Sequence, residues 1–222
     1  LERGELASGA SGGNLGQISL FDRSEDWHIA LALESLDMYK ILAKSFQIDY
    51  QETGGIVVLA TPEQEALASQ VGSLLSTYGL DVQLLAGKAI NKVEPYFDSS
   101  SALGVAYCPR EGRVDPFAVT LMFIELGVKS GLKVKSLTEV VGFEFSGSTI
   151  SKVLTKKGSI HAGLVVNAAG SWAGEIAQMA GDSIPLKYHR GTAMVSQPVP
   201  RVIYGPIVGG GFLTGAALQE ST

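Results

Sequence analysis

The first residues able to do chemistry stand at Leu1-Glu2-Arg3 and in the small-residue run Ala7-Ser8-Gly9-Ala10-Ser11-Gly12-Gly13-Asn14. An acidic side chain at a strand end, where Glu2 would sit, can accept hydrogen bonds from both hydroxyls of a nucleotide ribose. An acidic residue at an arbitrary position is more often merely exposed, and Glu2 taken alone allows both readings. The run from Ser8 to Asn14 lets backbone N–H groups and short hydroxyls approach a pyrophosphate and a flat cofactor ring without steric conflict. A flexible linker has the same composition. A second constellation begins at Leu164-Val165-Val166, an apolar run that enters Asn167-Ala168-Ala169-Gly170. Ser171 could then cap a helix opening at Trp172, so the expectation is a strand, a tight small-residue turn and a helix, which is a ligand-binding geometry.

Other reactive side chains offer little. His28, His161 and His189 are far apart and flanked by ordinary helix or strand neighbours. Surface or satisfied structural roles outweigh catalysis for all three, and none is assigned. Cys108 ends an apolar run before Pro109 and reads as a small buried hydrophobe rather than a nucleophile or a point of cofactor attachment. One cysteine and three scattered histidines build no metal site.

Around these residues the hydrophobic spacing sets out the elements. Leu33, Leu36, Tyr39 and Ala43 mark a helix over about 27–45. Ile56 to Leu59 is a strand, and Thr61 before Pro62, with Gln64 three places on, is a capping box that starts a second helix. Its inward stripe is Leu67, Val71, Leu74, Leu75 and Tyr78, and Gly79 ends it. Strands follow at Val82 to Leu85 and Gly104 to Cys108. Asp115-Pro116 then opens a third helix with the stripe Phe117, Leu121, Ile124 and Val128, stopped at Gly131. Lys133 to Ser136, Val140 to Phe145, Ile150 to Thr155 and Ser159 to Ala162 read as a meander turned by Gly147 and Lys157-Gly158. From Ile184 the chain is β-like but carries Pro185, Pro198, Pro200 and Pro206, which confines it to edges or connections. Alternating α/β and β-rich stretches without a clean linker indicate two domains whose chain crosses between them more than once.

Composition bounds the partners. The 222 residues, 45% of them hydrophobic, can bury a substantial core. A net charge of −5, from 17 basic and 22 acidic residues scattered along the chain, argues against nucleic acid or an anionic membrane surface and for a small-molecule partner. A lone cysteine points to a reducing compartment, so a cytoplasmic location is expected, with peripheral membrane association left open. No run approaches the roughly 18 apolar residues of a membrane span, and Leu1 to Glu5 do not resemble a charged then apolar signal peptide, so neither is expected.

Taken together, Leu-Glu-Arg followed by Ser-Gly-Ala-Ser-Gly-Gly-Asn resembles the second-strand segment of the FAD-dependent D-amino acid oxidase, glycine oxidase and sarcosine oxidase family. Glu111-Gly112-Arg113-Val114-Asp115-Pro116 is similar to that family's Asp-Gly-x-Val-Asp-Pro element. Thr155 to Gly170 resembles its Thr-x-x-Gly-x-Ile-x-Ala-x-x-Val-Val-Asn-Ala-Ala-Gly signature, the most specific of the matches, and Arg190-Gly191 is similar to its Arg-Gly where the substrate domain resumes.

The resemblance implies FAD as cofactor. It places Glu2 and Arg3 at the adenosine ribose, Ser8, Ala10, Ser11, Gly12, Gly13 and Asn14 beside the pyrophosphate and flavin, and the Val140 backbone at the adenine edge. Ala168, Ala169, Gly170 and Trp172 form the second cofactor-facing turn, although a helix-opening Trp serves packing as often as cofactor contact. Tyr204 lies where the family often places an aromatic facing the substrate, with ordinary β-sheet packing as the alternative.

The expected fold is mixed α/β, a Rossmann-like FAD-binding domain (1–45 and 106–182) interleaved with a β-rich substrate domain (46–105 and 183–222). The implied activity is oxidation of a small amine or amino acid, with oxygen or another carrier as electron acceptor. Oxidation of a 2-hydroxy acid or glycerol phosphate, or a non-catalytic subunit on the same fold, are the rival readings. Gly209-Gly210-Gly211-Phe212 departs from the family's aromatic and Pro/Arg pattern, which leaves the substrate open, as is homo- or hetero-oligomerisation. The family's G-x-G-x-x-G turn would precede Leu1, and its substrate-binding arginine and closing segment would follow Thr222, so an interior fragment truncated at both ends is expected.

Overall fold

The structure is a computed structural model that describes residues 1–23, 25–188 and 190–213. His189 lies outside the described residues. By packing, the chain divides into one unit of Leu1–Asn14 and Val119–Met194 and another of Leu15–Ala118 and Val195–Thr222.

The second unit is built on a four-stranded mixed sheet. Its strands are β2 (Gly55–Leu59), β3 (Gln83–Leu85), β4 (Gly104–Cys108) and β9 (Ile207–Gly209), in the order β3-β4-β2-β9. β4 runs antiparallel to β2 and β3, while β2 and β9 form the one parallel pair among the described residues. β2 reads as a continuous apolar run because both of its faces are buried. Val57 and Leu59 join a core with Leu20, Phe21, Ile29, Leu36, Leu75 and Cys108, whereas Ile56 packs on the opposite face with Ile90 and Val105. Helices α1 (Asp26–Leu42) and α2 (Pro62–Thr77) supply one wall, and the 3-10 segment Gly87–Lys92 the other.

The start of α2 follows from its sequence. Thr61 is extended, its hydroxyl accepts from the Gln64 N–H at 3.3 Å, and the Gln64 side chain accepts from the Ala60 N–H at 2.8 Å. Leu75, fully buried, would cost about 2–5 kcal/mol to truncate to Ala.

A two-stranded ribbon, β1 (Gln17–Ile18) with β5 (Gly112–Arg113), completes this unit. β5 is also bridged on its other side by Gln51. A Cβ at Gly112 would lie 2.0 Å from the Gln51 carbonyl oxygen, so this approach requires glycine. Asp115 then caps α3 (Pro116–Lys129), its carboxylate accepting from the N–H groups of Phe117 at 2.9 Å and Ala118 at 3.0 Å.

The first unit contains the antiparallel meander β6 (Val140–Ser146), β7 (Thr149–Thr155) and β8 (Gly158–His161), as its turn signals indicate, with α4 (Ala173–Met179) packed on β6. Four sequence expectations change here. Lys133 to Ser136 forms no registered strand, but the segment is aligned with the chain start by backbone bonds from Glu2 N to Lys135 O, Leu137 N to Gly4 O and Thr138 N to Glu2 O. Leu164 to Val166 pairs with nothing among the described residues, and Leu164 and Val166 are 83% and 80% exposed. A strand needs a partner as well as apolar side chains.

In α3 the buried residues are Val119 and Met122, while Phe117, Leu121 and Val128 are exposed. This helix is apolar on two sides, and periodicity alone does not choose between them. The stretch from Ile184 is irregular and largely exposed until β9. No described helix is long and apolar enough to cross a membrane.

Candidate cofactor and substrate sites

Within the first unit, the alignment of Glu2–Gly4 with Lys135–Thr138 draws several of the candidate residues together. The Glu2 carboxylate is exposed and accepts from the Gly4 N–H at 2.7 Å through Oε1 alone, leaving Oε2 free of protein donors among the described residues. The guanidinium of Arg3 lies over the Trp172 ring, 4.1 Å from its centroid. Glu139 stands near Arg3 and pairs with Lys156, and these cations, Lys156 first, hold its carboxyl below the usual carboxylate range. Val140 follows at the start of β6, an edge strand. Because the Glu139 carbonyl accepts from Lys156 on the β7 side, alternation turns the Val140 N–H and C=O toward the open edge.

The run from Ala7 to Asn14 is a compact turn rather than a linker. The N–H groups of Gly12 and Gly13 donate to the Gly9 carbonyl, at 3.2 and 3.0 Å, and Asn14 Nδ2 donates to the Ala10 and Ser11 carbonyls, both at 3.0 Å. Ser8 is anchored through its hydroxyl to the Glu5 carbonyl at 2.7 Å. The N–H groups of Gly9, Ala10 and Ser11 meet no protein acceptor among the described residues. Three unpaired N–H groups at the opening of a turn suit an anion.

The Asn167–Gly170 segment is shaped by its asparagine. Oδ1 accepts from the Ala169 N–H at 3.3 Å, and Nδ2 donates to the Ala173 carbonyl at 2.9 Å. Gly170–Trp172 forms a 3-10 turn before α4, and no side chain caps either. The expected Ser171 cap is not formed. Ala168 and Gly170 are exposed, and Trp172 is stacked by Arg3 on one side. His28 and His161 form no metal cluster among the described residues. Residues on hand thus fit the adenosine and pyrophosphate portions of FAD: a free carboxylate oxygen, an outward backbone edge, unpaired N–H groups and an exposed aromatic.

Within the second unit, Tyr204 and Arg201 line a cavity of about 580 Å³ together with Gln17, Gln51, Arg113 and Ile203. Arg201 lies over the Tyr204 ring, 4.5 Å from its centroid, and donates to the Tyr204 carbonyl at 3.3 Å. Arg113 is neutralised by Asp49 at 2.6 Å. Two buried carboxylates support this unit: Glu94, which the sequence does not single out, and Glu111, which it marks only as part of a motif. Glu94, 3% exposed, accepts from the Tyr204 N–H at 3.0 and 3.1 Å and from the Gly205 N–H at 2.6 Å. Glu111, 1% exposed, accepts from the N–H groups of Leu20 at 2.6 Å and Phe21 at 3.2 Å and from the Ser19 hydroxyl at 3.1 Å. Burial raises the Glu111 carboxyl above its ordinary range, and the donated hydrogen bonds only partly offset this. Their partners are backbone amides 90 or more residues away, which no local pattern reveals. Cys108 is fully buried, and burial pushes its thiol up to about 11, as expected of an inert core residue.

The chain belongs to the DAO family of FAD dependent oxidoreductases, which it matches over residues 1–212. It is 27% identical over 183 residues to hydrogen cyanide synthase subunit HcnC of Pseudomonas aeruginosa, covering 79% of this chain and 44% of that protein. Its fold matches glycine oxidase from Geobacillus kaustophilus with a TM-score of 0.73 at 25% identity, over 81% of this chain and 50% of the other. L-proline dehydrogenase from P. horikoshii matches with a TM-score of 0.74 at 24% identity, over 85% and 51% respectively. The chain spans about half the length of these proteins.

Proposed function

We propose that the full-length protein uses FAD to oxidise a small amine or amino acid at the carbon bearing nitrogen. The observation that carries this reading is the gathering of Glu2, Arg3, Trp172 and the Val140 edge in one unit, in a chain of this family. Glu2 would bind the adenosine ribose, and Arg3 would stay stacked on Trp172 beside it. Val140 would meet the adenine edge, and the turn from Ser8 to Asn14, with Ala168 to Gly170, would face the pyrophosphate and ring. When bound, the flavin supplies the redox chemistry by accepting a hydride from the substrate carbon, which leaves an imine for water to hydrolyse. The protein contributes binding, orientation and exclusion of water. Tyr204 and Arg201 would meet the substrate. In functional terms residues 1–45 and 106–182 form the FAD-binding domain and 46–105 and 183–222 the substrate domain. Oxygen or another carrier would serve as electron acceptor, and a single buried cysteine suits the cytoplasm.

Anaerobic addition of glycine, sarcosine, L-proline and D-amino acids to the FAD-loaded protein tests this. Bleaching of the flavin band near about 450 nm by one of these amines is expected. Bleaching only by 2-hydroxy acids or glycerol phosphate would replace the substrate class, and tight FAD binding with no bleaching by any of them would make the protein a non-catalytic scaffold.

A further inference from the structure

Helix α1 is apolar on two faces, and the core of its unit takes up only one of them. Ile29 and Leu36 are fully buried among Leu20, Phe21 and Leu75. On the opposite face stand Trp27, Leu31, Met38 and Ile41, each 47–65% exposed. At 3.6 residues per turn these four, with Glu34 between them, fall within an arc of about 80° and extend about 21 Å along the axis. A helix with apolar side chains on both sides belongs in a core or at an interface, and a continuous apolar stripe facing water marks an interaction surface.

The two ends of the stripe carry opposite charges. Glu25 precedes the first turn and Lys44 follows the last, both exposed and neither in an ion pair among the described residues. The other charges near the ends are already engaged, Lys40 with Glu52 at 2.8 Å and Asp26 with the Tyr78 hydroxyl. Along the stripe the apolar residues are spaced by four, seven and three positions, so a second copy running the opposite way meets nearly the same pattern in reverse. In that arrangement Leu31 lies across from the partner's Met38, and Glu25 from the partner's Lys44. A two-fold axis repeats both contacts, and the two helix dipoles run head to tail. Glu34 is the acidic residue inside the stripe, and the axis brings it toward the partner's Glu34, which keeps the association reversible. A lipid surface fits this face poorly. Interfacial helices carry basic residues beside the apolar stripe, whereas Glu25, Asp26, Glu34 and Asp37 lie on or beside this one and the chain has a net charge of −5.

We propose that the outer face of α1 is a two-fold interface between copies of this chain, packed through Trp27, Leu31, Met38 and Ile41 in antiparallel register and closed at each end by a Glu25–Lys44 pair. The proposal is independent of the flavin reading, because it uses none of the residues assigned to cofactor or substrate.

Sedimentation velocity of the full-length protein between about 1 and 100 µM is expected to show a reversible monomer–dimer equilibrium. Leu31→Arg, at an exposed position, weakens the dimer at least tenfold and leaves the melting temperature of the monomer unchanged. Met38→Lys does the same, and carries the test if Leu31→Arg does not fold. Glu34→Gln tightens the dimer at least threefold. Glu25→Lys and Lys44→Glu each weaken it at least threefold, and the two changes combined restore it to within twofold of wild type, because the pairs re-form with their polarity reversed. A protein that stays monomeric throughout this range would overturn the proposal and assign the stripe to the rest of its own chain or to a different partner. A dimer indifferent to Leu31→Arg and Met38→Lys would place the contact on another face and overturn it equally. Loss in both single charge variants with no recovery in the combined one would overturn the antiparallel register.

Discussion

Removing the Glu111 carboxylate should be among the most destabilising single changes in this protein, while neutralising it should not. The side chain is 1% exposed and accepts from the N–H groups of Leu20 and Phe21, both buried, and from Ser19. Glu111→Ala strands two buried backbone donors, at about 1–3 kcal/mol each, for a loss of about 2–6 kcal/mol. Glu111→Gln keeps an amide oxygen where Oε1 stands, so its loss near pH 7 should be about 1 kcal/mol or less. The pH dependence separates charge from hydrogen bonding. Burial raises this carboxyl, so folding favours its neutral form. That contribution is full below the ordinary glutamate value of about 4.3 and is lost as pH climbs through the raised value. Wild type should therefore lose stability relative to Glu111→Gln as pH rises from the ordinary glutamate value through the raised one. Urea denaturation followed by fluorescence at several pH values measures both effects. Equal stability of the Ala and Gln variants, or a Gln variant that gains nothing on wild type as pH rises, would refute the reasoning.

Glu2→Ala in the full-length protein should weaken FAD by about 1–3 kcal/mol without altering the melting temperature, as measured by calorimetric titration, because the carboxylate is exposed and carries one local bond. Gly16→Ala should destabilise by about 3 kcal/mol or more in thermal denaturation, since φ is +66° and the added Cβ would lie 2.0 Å from the Val114 carbonyl oxygen. Cys108, fully buried with its thiol raised to about 11, should resist a thiol reagent at pH 8 in the native protein and react once the protein is unfolded in urea; rapid native labelling would contradict the packing.

Elements with local signals were legible in the sequence. Thr61-Pro62 and Gln64 mark the start of α2 because the cap is made within four residues, and Gly147 and Lys157-Gly158 mark the meander because turns are local. The motif residues Gly112 and Asp115 also carry their own reasons, one a close backbone approach and the other a helix cap. What depended on tertiary partners was not legible. The inward face of α3, the unpaired Leu164 to Val166 and the irregular stretch after Ile184 are settled by what packs alongside them, not by periodicity. Of the candidate residues, the gathering of Glu2, Arg3 and Trp172 could be named in advance only through the family resemblance. Glu94 carries no such signal, because its role lies in amides 110 and 111 residues further on.

In the proposed function this chain supplies the adenosine-binding side of a flavin site. The direct test is to purify the full-length protein, release any bound chromophore by denaturation, and identify and quantify it. One FAD per chain, with absorption near about 370 and 450 nm before release, is the expected result. Colourless protein that takes up no FAD on reconstitution would contradict it.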